Sequence, residues 1–395
     1  MTTAKRLDGI GEYYFATKLR EIDDLNRQGK QIISLGIGSP DLPPHPEVIR
    51  TLHEAASRPD THAYQNYKGA PALRKAMAEW YSTWYGVTLD PDSEILPLIG
   101  SKEGIMHICM TYLNEGDKAL IPDPGYPTYS SAVRLAGGVP VPYTLTLSRG
   151  WEPDWETLET ADLSGVKLMW VNYPHMPTGQ KASRALFERL VDFGRRHKIL
   201  ICHDNPYSFI LNDEPLSLLS VDGAMDVALE LNSLSKSQNM AGWRIGMLLG
   251  AKERISEVMR FKSNMDSGMF LPMQLAAAKA LQLGKDWYDS LNAVYARRRV
   301  KVFALLDSLS ANYDRNQVGM FVWAAIPEGY ADGYALSDAI LYKANVFITP
   351  GGIFGAEGKG YIRVSLCCTE EKLQQAMDRI SAVPALTSTT LKSTI

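Results

Sequence analysis

The sequence predicts an α/β fold, with a large domain whose mostly parallel sheet is sandwiched by helices and a smaller α+β domain. In the middle of the chain, short strand-like runs alternate with longer helical patterns, as parallel strands and crossover helices do. Beyond about residue 285 the alternation gives way to one long helical stretch and shorter strands. The length of 395 residues also favours two or three domains, at ~150 residues each.

The alternating region contains predicted strands joined by predicted crossover helices. The strands are rich in aliphatic residues, and the helices carry apolar residues at helical spacing. The predicted strands cover 94–99, 118–121, 166–171, 199–203 and 227–231, and the helices cover 102–113, 128–136 and 183–197. We therefore predict a large domain over 47–285.

The remaining segments are assigned to the smaller domain. A helical stretch at 287–309 is followed by predicted strands at 321–326 and 361–365. The N-terminal segment precedes the alternation, so we place 1–46 with 286–395 in this domain. The polar end at 388–395 is expected to fray.

Composition excludes several classes of function. A net charge of -3 gives no basis for binding nucleic acid, and no run of about eighteen apolar residues is present. The four cysteines, Cys109, Cys202, Cys367 and Cys368, have neither metal-ligand spacing nor the density of a disulfide scaffold. We expect a soluble cytoplasmic protein with reduced thiols and no bound metal.

Polar residues follow the predicted strands directly. In open α/β sheets ligands bind at the carboxyl ends of the strands, so these side chains are expected to share one site. They are Gly100, Ser101, the segment from Asp123 to Tyr126, Asn172, Asp204 and Ser233.

Lys236 and its sequence neighbours carry the groups that a phosphorylated aldehyde cofactor requires. The amine of Lys236 can condense with an aldehyde, and Ser233 and Arg244 can bind a phosphate. Asp204 could keep a ring nitrogen protonated, with the phenol of Tyr207 close by. A single lysine would more often be a solvated residue, so this interpretation depends on the other motifs.

With those motifs included, the chain resembles the class I and II aminotransferases, which are pyridoxal phosphate enzymes of the aspartate aminotransferase fold (fold type I). The resemblance covers residues 33 to 366. The motifs are Gly36-Ile-Gly-Ser-Pro-Asp, Tyr64-Gln-Asn-Tyr-Lys-Gly, Gly100-Ser-Lys-Glu-Gly, Asp123-Pro-Gly-Tyr-Pro, Asn172-Tyr-Pro-His-Met-Pro-Thr-Gly, Asp204-x-x-Tyr207, Ser233-x-x-Lys236 with Arg244, and Tyr361-Ile-Arg-Val-Ser.

This resemblance implies a transaminase of amino-acid metabolism that uses pyridoxal 5′-phosphate. Such an enzyme moves the amino group of an L-amino acid to a 2-oxo acid in a ping-pong cycle of two half-reactions. The Gly100-Ser-Lys-Glu-Gly segment is similar to that of the LL-diaminopimelate, alanine and aspartate aminotransferases. The donor, the acceptor and the pathway stay open.

The resemblance also implies how five residues hold and operate the cofactor ring. Lys236 matches the lysine that forms the aldimine and then shuttles a proton. Asp204 matches the carboxylate that pairs with the ring nitrogen, and Tyr126 matches the aromatic residue that stacks on the ring. Tyr207 and Asn172 match positions close to the phenolic oxygen and the ring.

Phosphate binding is expected from two segments of the chain. Ser101 and Lys102 would begin a helix, where free N–H groups favour an anion, and Ser233 and Arg244 would complete the site. Tyr64 matches a tyrosine that reaches the phosphate of the neighbouring subunit. The resemblance therefore implies a homodimer.

Substrate binding is expected around the same ring. Arg363 matches the arginine that takes the substrate α-carboxylate through its planar fork. Gly38 matches a glycine that leaves space for the substrate, with Asn172 beside it and Tyr13 as a further lining residue. The segment 269–273 either contributes to the side-chain pocket or only packs.

One position departs from the family pattern. Met176 stands where the family has an asparagine that donates a hydrogen bond to the cofactor's phenolic oxygen. Methionine cannot donate, so we expect the cofactor to bind while the pKa of its imine with the lysine is raised. His175 or a water could replace the missing donor.

Two other functions are compatible with parts of the sequence. A C–S β-lyase, or another reaction at the α-carbon, would use the same lysine and cofactor. A cofactor-binding regulator would need a DNA-binding extension, and the N-terminal segment has neither the size nor the basic character for one. We therefore prefer the aminotransferase.

Overall fold

The helices and strands follow the predicted alternation closely. The computed structural model describes residues 2–8, 10–12 and 14–387, so the predicted fraying of 388–395 falls outside the described residues. The helices are α1 (Tyr14–Arg27), α2 (Pro46–Ala56), α3 (Pro71–Tyr85), α4 (Ser101–Tyr112), α5 (Pro127–Leu135), α6 (Trp155–Thr160), α7 (Arg184–His197), α8 (Ala224–Val227), α9 (Leu234–Ser237), α10 (Lys252–Lys262), α11 (Leu271–Leu281), α12 (Lys285–Ser308), α13 (Gly333–Ala344), α14 (Glu370–Ser381) and α15 (Pro384–Thr387).

The strands include every one predicted from the sequence, with bounds that differ by one or two residues. They are β1 (Ile33–Ser34), β2 (Ile95–Leu98), β3 (Lys118–Asp123), β4 (Val139–Thr144), β5 (Val166–Val171), β6 (Leu200–Asp204), β7 (Ala228–Ser233), β8 (Gly246–Gly250), β9 (Phe321–Ala325), β10 (Val346–Phe347), β11 (Thr349–Pro350) and β12 (Tyr361–Ser365).

A mostly parallel sheet forms the centre of the large α/β region. Among the described residues it has seven strands in the order β2-β8-β7-β6-β5-β3-β4. β8 is antiparallel to both of its neighbours, β2 and β7, while the pairs from β7 to β4 are parallel. The predicted fold class is therefore confirmed. β4 and β8 were not predicted, because the first contains prolines and the second is short and bounded by glycines.

Both faces of this sheet are covered, which explains why its strands read as continuous apolar runs. One face packs against α4, α5 and α10, where Leu168, Trp170 and Leu231 are buried. The other face buries Met169, Val171 and Ile201 with residues of α3 and α7. Since side chains alternate across a strand, successive residues of β5 supply the two cores in turn.

A second set of strands lies in the C-terminal part of the chain. β11, β12 and β9 form an antiparallel sheet, and β1 pairs in parallel with β10. The packing of the N-terminal β1 on β10 agrees with placing 1–46 beside the C-terminal segments. The domain boundaries themselves remain a prediction. Within the described chain, no helix has the length and apolar character needed to cross a bilayer.

The segment that contains Gly36 and Gly38 is held against this second sheet. The Ser365 amide donates to the Leu35 carbonyl at 2.7 Å, which continues the β12 edge. Arg298 on α12 forms a two-pronged ion pair with Asp41, with N–O distances of 2.7 and 2.8 Å. These contacts fix a loop that meets the carboxyl ends of the large sheet.

Close backbone packing at Gly246 generates a prediction about stability. A Cβ added there would lie 2.7 Å from the Ser101 amide nitrogen and 2.9 Å from the Gly100 carbonyl carbon. We expect Gly246→Ala to lower the free energy of unfolding by about 2–3 kcal/mol, because backbone must shift at the start of α4. Urea unfolding measures this difference.

Gly242→Ala is the matched control, since a Cβ at Gly242 meets nothing within 4 Å. It should unfold at nearly the same urea concentration as the wild type. Equal stability of the two variants would contradict the packing argument.

Candidate active site

A cavity of about 480 Å³ lies at the carboxyl ends of β5, β6 and β7, facing the segment around Gly38 and β12. It is therefore enclosed by both parts of the fold. Its lining includes eleven of the residues that the sequence singled out. These are Gly38, Ser101, Lys102, Tyr126, Asn172, Asp204, Tyr207, Ser233, Lys236, Arg244 and Arg363.

Lys236 projects into this cavity from the short helix α9, which begins where β7 ends. Its Nζ donates to the Gly38 carbonyl at 2.6 Å. Burial lowers the pKa of the Lys236 amine, and the positive charges of Arg363 and Arg244 act in the same direction. A larger fraction of the neutral amine is then present, and this is the form that attacks a carbonyl.

Asp204 ends β6 and is 5% exposed. Its Oδ2 accepts a hydrogen bond from the Tyr129 hydroxyl at 2.9 Å, whereas its Oδ1 is buried and has no hydrogen-bond partner among the described residues. Burial raises the pKa of Asp204 to about 6. A buried carboxylate oxygen without a donor fits a ligand that brings its own N–H, such as a protonated ring nitrogen.

Aromatic side chains form the walls around Asp204. Tyr126 lies edge-on to Tyr129 with 5.6 Å between ring centroids, and Tyr129 stacks on Trp170 at 5.1 Å. Tyr207 lines the cavity beside Phe321, with 6.0 Å between their rings. Such rings suit a flat ligand.

One end of the cavity is rich in hydrogen-bond donors. Ser101 begins α4 after Gly100, which has a φ of 82° and offers no side-chain cap to the first N–H groups. Ser233 and Ser235 lie together, with 2.8 Å between their hydroxyl oxygens, and Arg244 reaches over Gly100. A helix N-terminus, two hydroxyls and a guanidinium can together hold a phosphate.

The other end of the cavity contains Arg363, on β12. Its Nη2 donates to the Gly36 carbonyl at 2.9 Å, and its Nη1 lies 3.2 Å from the Met176 sulfur. The guanidinium carbon is 3.8 Å from the Phe321 ring centroid and 4.7 Å from that of Phe354. These contacts orient a planar cation that can bind a carboxylate.

Asn172 lines the cavity, but its amide is occupied by backbone groups. Nδ2 donates to the Asp204 carbonyl, and Oδ1 accepts from the Met176 amide at 2.8 Å. The contacts therefore tie the end of β5 to the end of β6. Asn172 therefore forms part of the cavity wall and helps to hold the Asp204 backbone in position.

Several other predicted residues do not line the cavity. Tyr64 is 93% exposed and lies outside the cavity lining, as does the segment 269–273. His175 also lies outside the lining: its Nδ1 is 2.8 Å from the Thr178 hydroxyl, and burial lowers its pKa to about 3. Tyr13 falls outside the described residues. The side chain of His175 is therefore not in place to substitute for the missing asparagine.

The sequence did not single out several residues that contribute to the cavity. Tyr129 follows Tyr126 by one helical turn, and that spacing could have identified it as the donor to Asp204. Phe15, Leu19, Ile37, Phe321 and Phe354 form apolar lining. Because these residues lie far apart in the sequence, no local pattern predicts that they share one cavity.

Comparison with known families identifies the architecture around this cavity. The model of the family "Aminotransferase class I and II" matches residues 30–380. An LL-diaminopimelate aminotransferase of Dehalococcoides mccartyi is 40% identical over 383 residues, covering 96% of this chain and 98% of the relative. Another, from Desulforudis audaxviator, is 41% identical over 379 residues, covering 95% and 96%.

Solved structures agree over nearly the whole chain. Apo-BacF from Bacillus subtilis superposes with a TM-score of 0.94 at 34% identity, covering 98% of this chain and 100% of that one. A double mutant of the Thermus thermophilus aspartate aminotransferase gives a TM-score of 0.90 at 25% identity, covering 97% and 99%.

Proposed function

The chain belongs to the class I and II aminotransferases, and from that premise we propose how its cavity performs amino-group transfer. The enzyme uses pyridoxal 5′-phosphate and moves the amino group of an amino acid to a 2-oxo acid. One observation supports the roles that we assign. The buried amine of Lys236, the carboxylate oxygen of Asp204 that has no donor, and the guanidinium of Arg363 all line the same cavity. The relatives are aminotransferases, and nothing in the comparisons favours a β-lyase.

Lys236 is proposed as the catalytic residue. When bound, pyridoxal 5′-phosphate supplies an aldehyde that condenses with amines and a ring that withdraws electrons. The amine of Lys236 has a pKa lowered by burial, so it can act as nucleophile and then take and return a proton at the substrate Cα. To do so it must leave the Gly38 carbonyl.

Asp204 and the aromatic residues are proposed to hold the ring. The free Oδ1 of Asp204 would accept the ring N–H, while Tyr129 donates to Oδ2 and keeps the carboxylate in position. Tyr126 would stack on the ring and Tyr207 would face its phenolic oxygen. A fixed ring plane determines which bond at the substrate Cα can break.

The two ends of the cavity are proposed to bind two anions. Ser101, Lys102, Ser233 and Arg244 would hold the cofactor phosphate, since α4 begins there and the serine hydroxyls converge. Arg363 would take the substrate α-carboxylate at the opposite end. Separate anion sites on either side of Lys236 orient both the cofactor and the amino acid.

A homodimer in the cytoplasm is proposed as the working form. Tyr64 is almost fully exposed, which suits a residue that completes the site of a second subunit. The cysteines are free, and Cys109, Cys202 and Cys368 are buried, as expected in a reducing compartment. No charge pattern favours nucleic acid as a partner.

LL-diaminopimelate is the donor that we propose, as part of amino-acid biosynthesis. Relatives at about 40% identity over nearly the whole chain are LL-diaminopimelate aminotransferases. Phe15, Leu19 and Ile37 line the cavity and suit the methylene chain between the two ends of such a donor. Its distal polar end would lie toward the open mouth of the cavity.

A donor screen tests this function. Purified enzyme is offered LL-diaminopimelate, alanine, aspartate, leucine or phenylalanine with 2-oxoglutarate, and glutamate formation is followed. We expect the highest kcat/KM with LL-diaminopimelate. In Lys236→Ala we expect turnover to fall by at least about 10³-fold, because the nucleophile and the proton carrier are the same group. The variant should remain folded by circular dichroism.

A higher kcat/KM for another donor would contradict the proposed substrate only. Normal turnover by Lys236→Ala would contradict the proposed catalytic role.

Met176 provides a spectroscopic prediction. Its sulfur contacts Arg363 and cannot donate to the cofactor's phenolic oxygen. The pKa obtained by titrating the visible absorption band of the holoenzyme should therefore be higher in the wild type than in Met176→Asn. The asparagine variant should lower that pKa by up to about one unit, since one net hydrogen bond is worth about 0.5–1.5 kcal/mol. Absorbance titration measures the shift.

Met176→Leu is the control, because it keeps the volume and adds no donor, and its band should titrate as in the wild type. An asparagine variant with an equal or higher pKa would refute the prediction.

Tyr64 is tested by mixing two defective variants. If Tyr64 acts on the partner's site, Tyr64→Ala mixed with Lys236→Ala forms hybrid dimers in which one of two sites is intact. Equal mixing should restore about a quarter of the wild-type activity, since half of the dimers are hybrids. Activity no higher than the average of the separate variants would contradict the proposed action of Tyr64 on the partner's site.

A further inference from the structure

A buried histidine–glutamate pair lies directly behind Asp204 in the sheet. His203 on β6 and Glu230 on β7 are register partners, and both are 0% exposed. The His203 Nδ1 is 2.8 Å from Glu230 Oε2. Neither residue lines the cavity, so neither takes part in the reaction as described above.

The contacts of Glu230 are those of a charged carboxylate. Oε2 accepts from the Ser217 hydroxyl at 3.0 Å and the Leu218 amide at 2.8 Å, in addition to His203. Oε1 accepts from the Tyr81 hydroxyl at 2.7 Å and faces the Asn205 amide at 3.4 Å. Every neighbour can donate, which is the arrangement that stabilises an ionised acid in the interior.

The contacts of His203 are those of a protonated ring. While Nδ1 faces Glu230, Nε2 lies 2.9 Å from the Tyr173 carbonyl oxygen, a group that only accepts. The Tyr173 amide is also near Nε2, but at 3.4 Å. With Glu230 ionised, both short contacts are to acceptors, which places a proton on each ring nitrogen and hence a positive charge on the ring.

The other elements around the pair bring no second formal charge. From α3, Tyr81 contacts Glu230, and Tyr85 lies next to Tyr81. Burial and the charge of Glu230 raise the pKa values of both tyrosines, which stay neutral. From α7, Phe187 packs on the His203 ring at 5.0 Å, and Asn232 on β7 contacts both tyrosine hydroxyls.

We propose that the His203–Glu230 pair is a positioning device that keeps the Asp204 carboxylate ionised for the cofactor ring nitrogen. His203 and Asp204 are consecutive residues on opposite faces of β6, so the positive ring is fixed close behind the carboxylate. A positive charge there favours the anion, while Glu230 holds the ring in place through its contact with Nδ1. This inference rests on the proposed role of Asp204.

Reversible cofactor binding tests the pair without relying on turnover. The full-length holoenzyme is converted to its pyridoxamine 5′-phosphate form, which has no aldehyde, and the dissociation constant is measured between pH 5 and 9 by equilibrium dialysis. Burial places the pKa of Asp204 at about 6. Affinity should therefore fall as the pH drops through that region, because protonation removes the acceptor.

His203→Asn should move this fall in affinity to higher pH. Asparagine can still donate to Glu230 but carries no charge, so the Asp204 pKa should rise by about one unit. Affinity should then weaken about threefold near pH 6.5 and nearly tenfold at pH 5. Well above the new pKa the two proteins should bind equally. The double variant His203→Asn with Glu230→Gln lacks both charges. The pH midpoint of its fall in affinity should return toward the wild-type value.

Two control variants separate the possible failures. Cys202→Ala, a neighbouring buried position on β6, should lower the melting temperature without moving the midpoint. Asp204→Asn should bind weakly at every pH; if it binds like the wild type, the role of Asp204 is wrong. If Asp204→Asn is weak but His203→Asn keeps the wild-type midpoint, the pair has only a structural role.

Proton NMR of the holoenzyme labelled with ¹⁵N-histidine provides an independent measurement. Two ring N–H signals that disappear in His203→Asn are expected at pH 7.5. A single ring N–H from His203 would show a neutral ring and overturn the proposal.

Discussion

The structure depends on keeping a carboxylate charged where water cannot reach it. Burial raises the pKa of Asp204 from 3.8 to about 6, which corresponds to about 3 kcal/mol against the ionised form. The Tyr129 hydroxyl and the buried pair behind the strand favour ionisation, and the ring N–H of the cofactor would complete the set. Because Tyr129 lies on α5 and the buried pair on β6 and β7, the sheet order itself determines where the ring can bind.

Parallel strands explain why so many polar residues meet at one place. The ends of β5, β6 and β7 carry Asn172, Asp204 and Ser233, and all three strands point the same way. The amide of Asn172 then joins the first two ends by hydrogen bonds to their backbone. Asn172 thus supports the cavity through backbone contacts, which motif matching does not reveal, and its role in binding a ligand stays a prediction.

Sequence patterns predicted most of the large sheet and most of the polar cavity residues, because both depend on local signals. Apolar runs mark β5 and β6, and the segments after them supply Asn172 and Asp204. The antiparallel strand β8 was missed, since its direction is set by pairing with β2 and β7. Phe321 and Phe354 were missed because they come from the C-terminal part of the chain, the first on β9 and the second in the 3-10 turn after β11. A contact made only by tertiary packing leaves no periodicity.

The hydrogen bond between Lys236 and Gly38 connects the two parts of the fold at the reacting centre. The Gly38 carbonyl is held in place because its loop is bonded to β12 and to Arg298. A Cβ at Gly38 would collide with the Phe321 ring, and that ring also packs against Arg363. In the proposed role, Lys236 would give up this bond, worth about 1 kcal/mol, and leave a fixed carbonyl facing the cavity. An amino group that arrives with a substrate could then donate to the same oxygen. The loop that binds the resting lysine would thereby also help to orient the incoming amine, while Arg363 would hold the carboxylate of the same molecule.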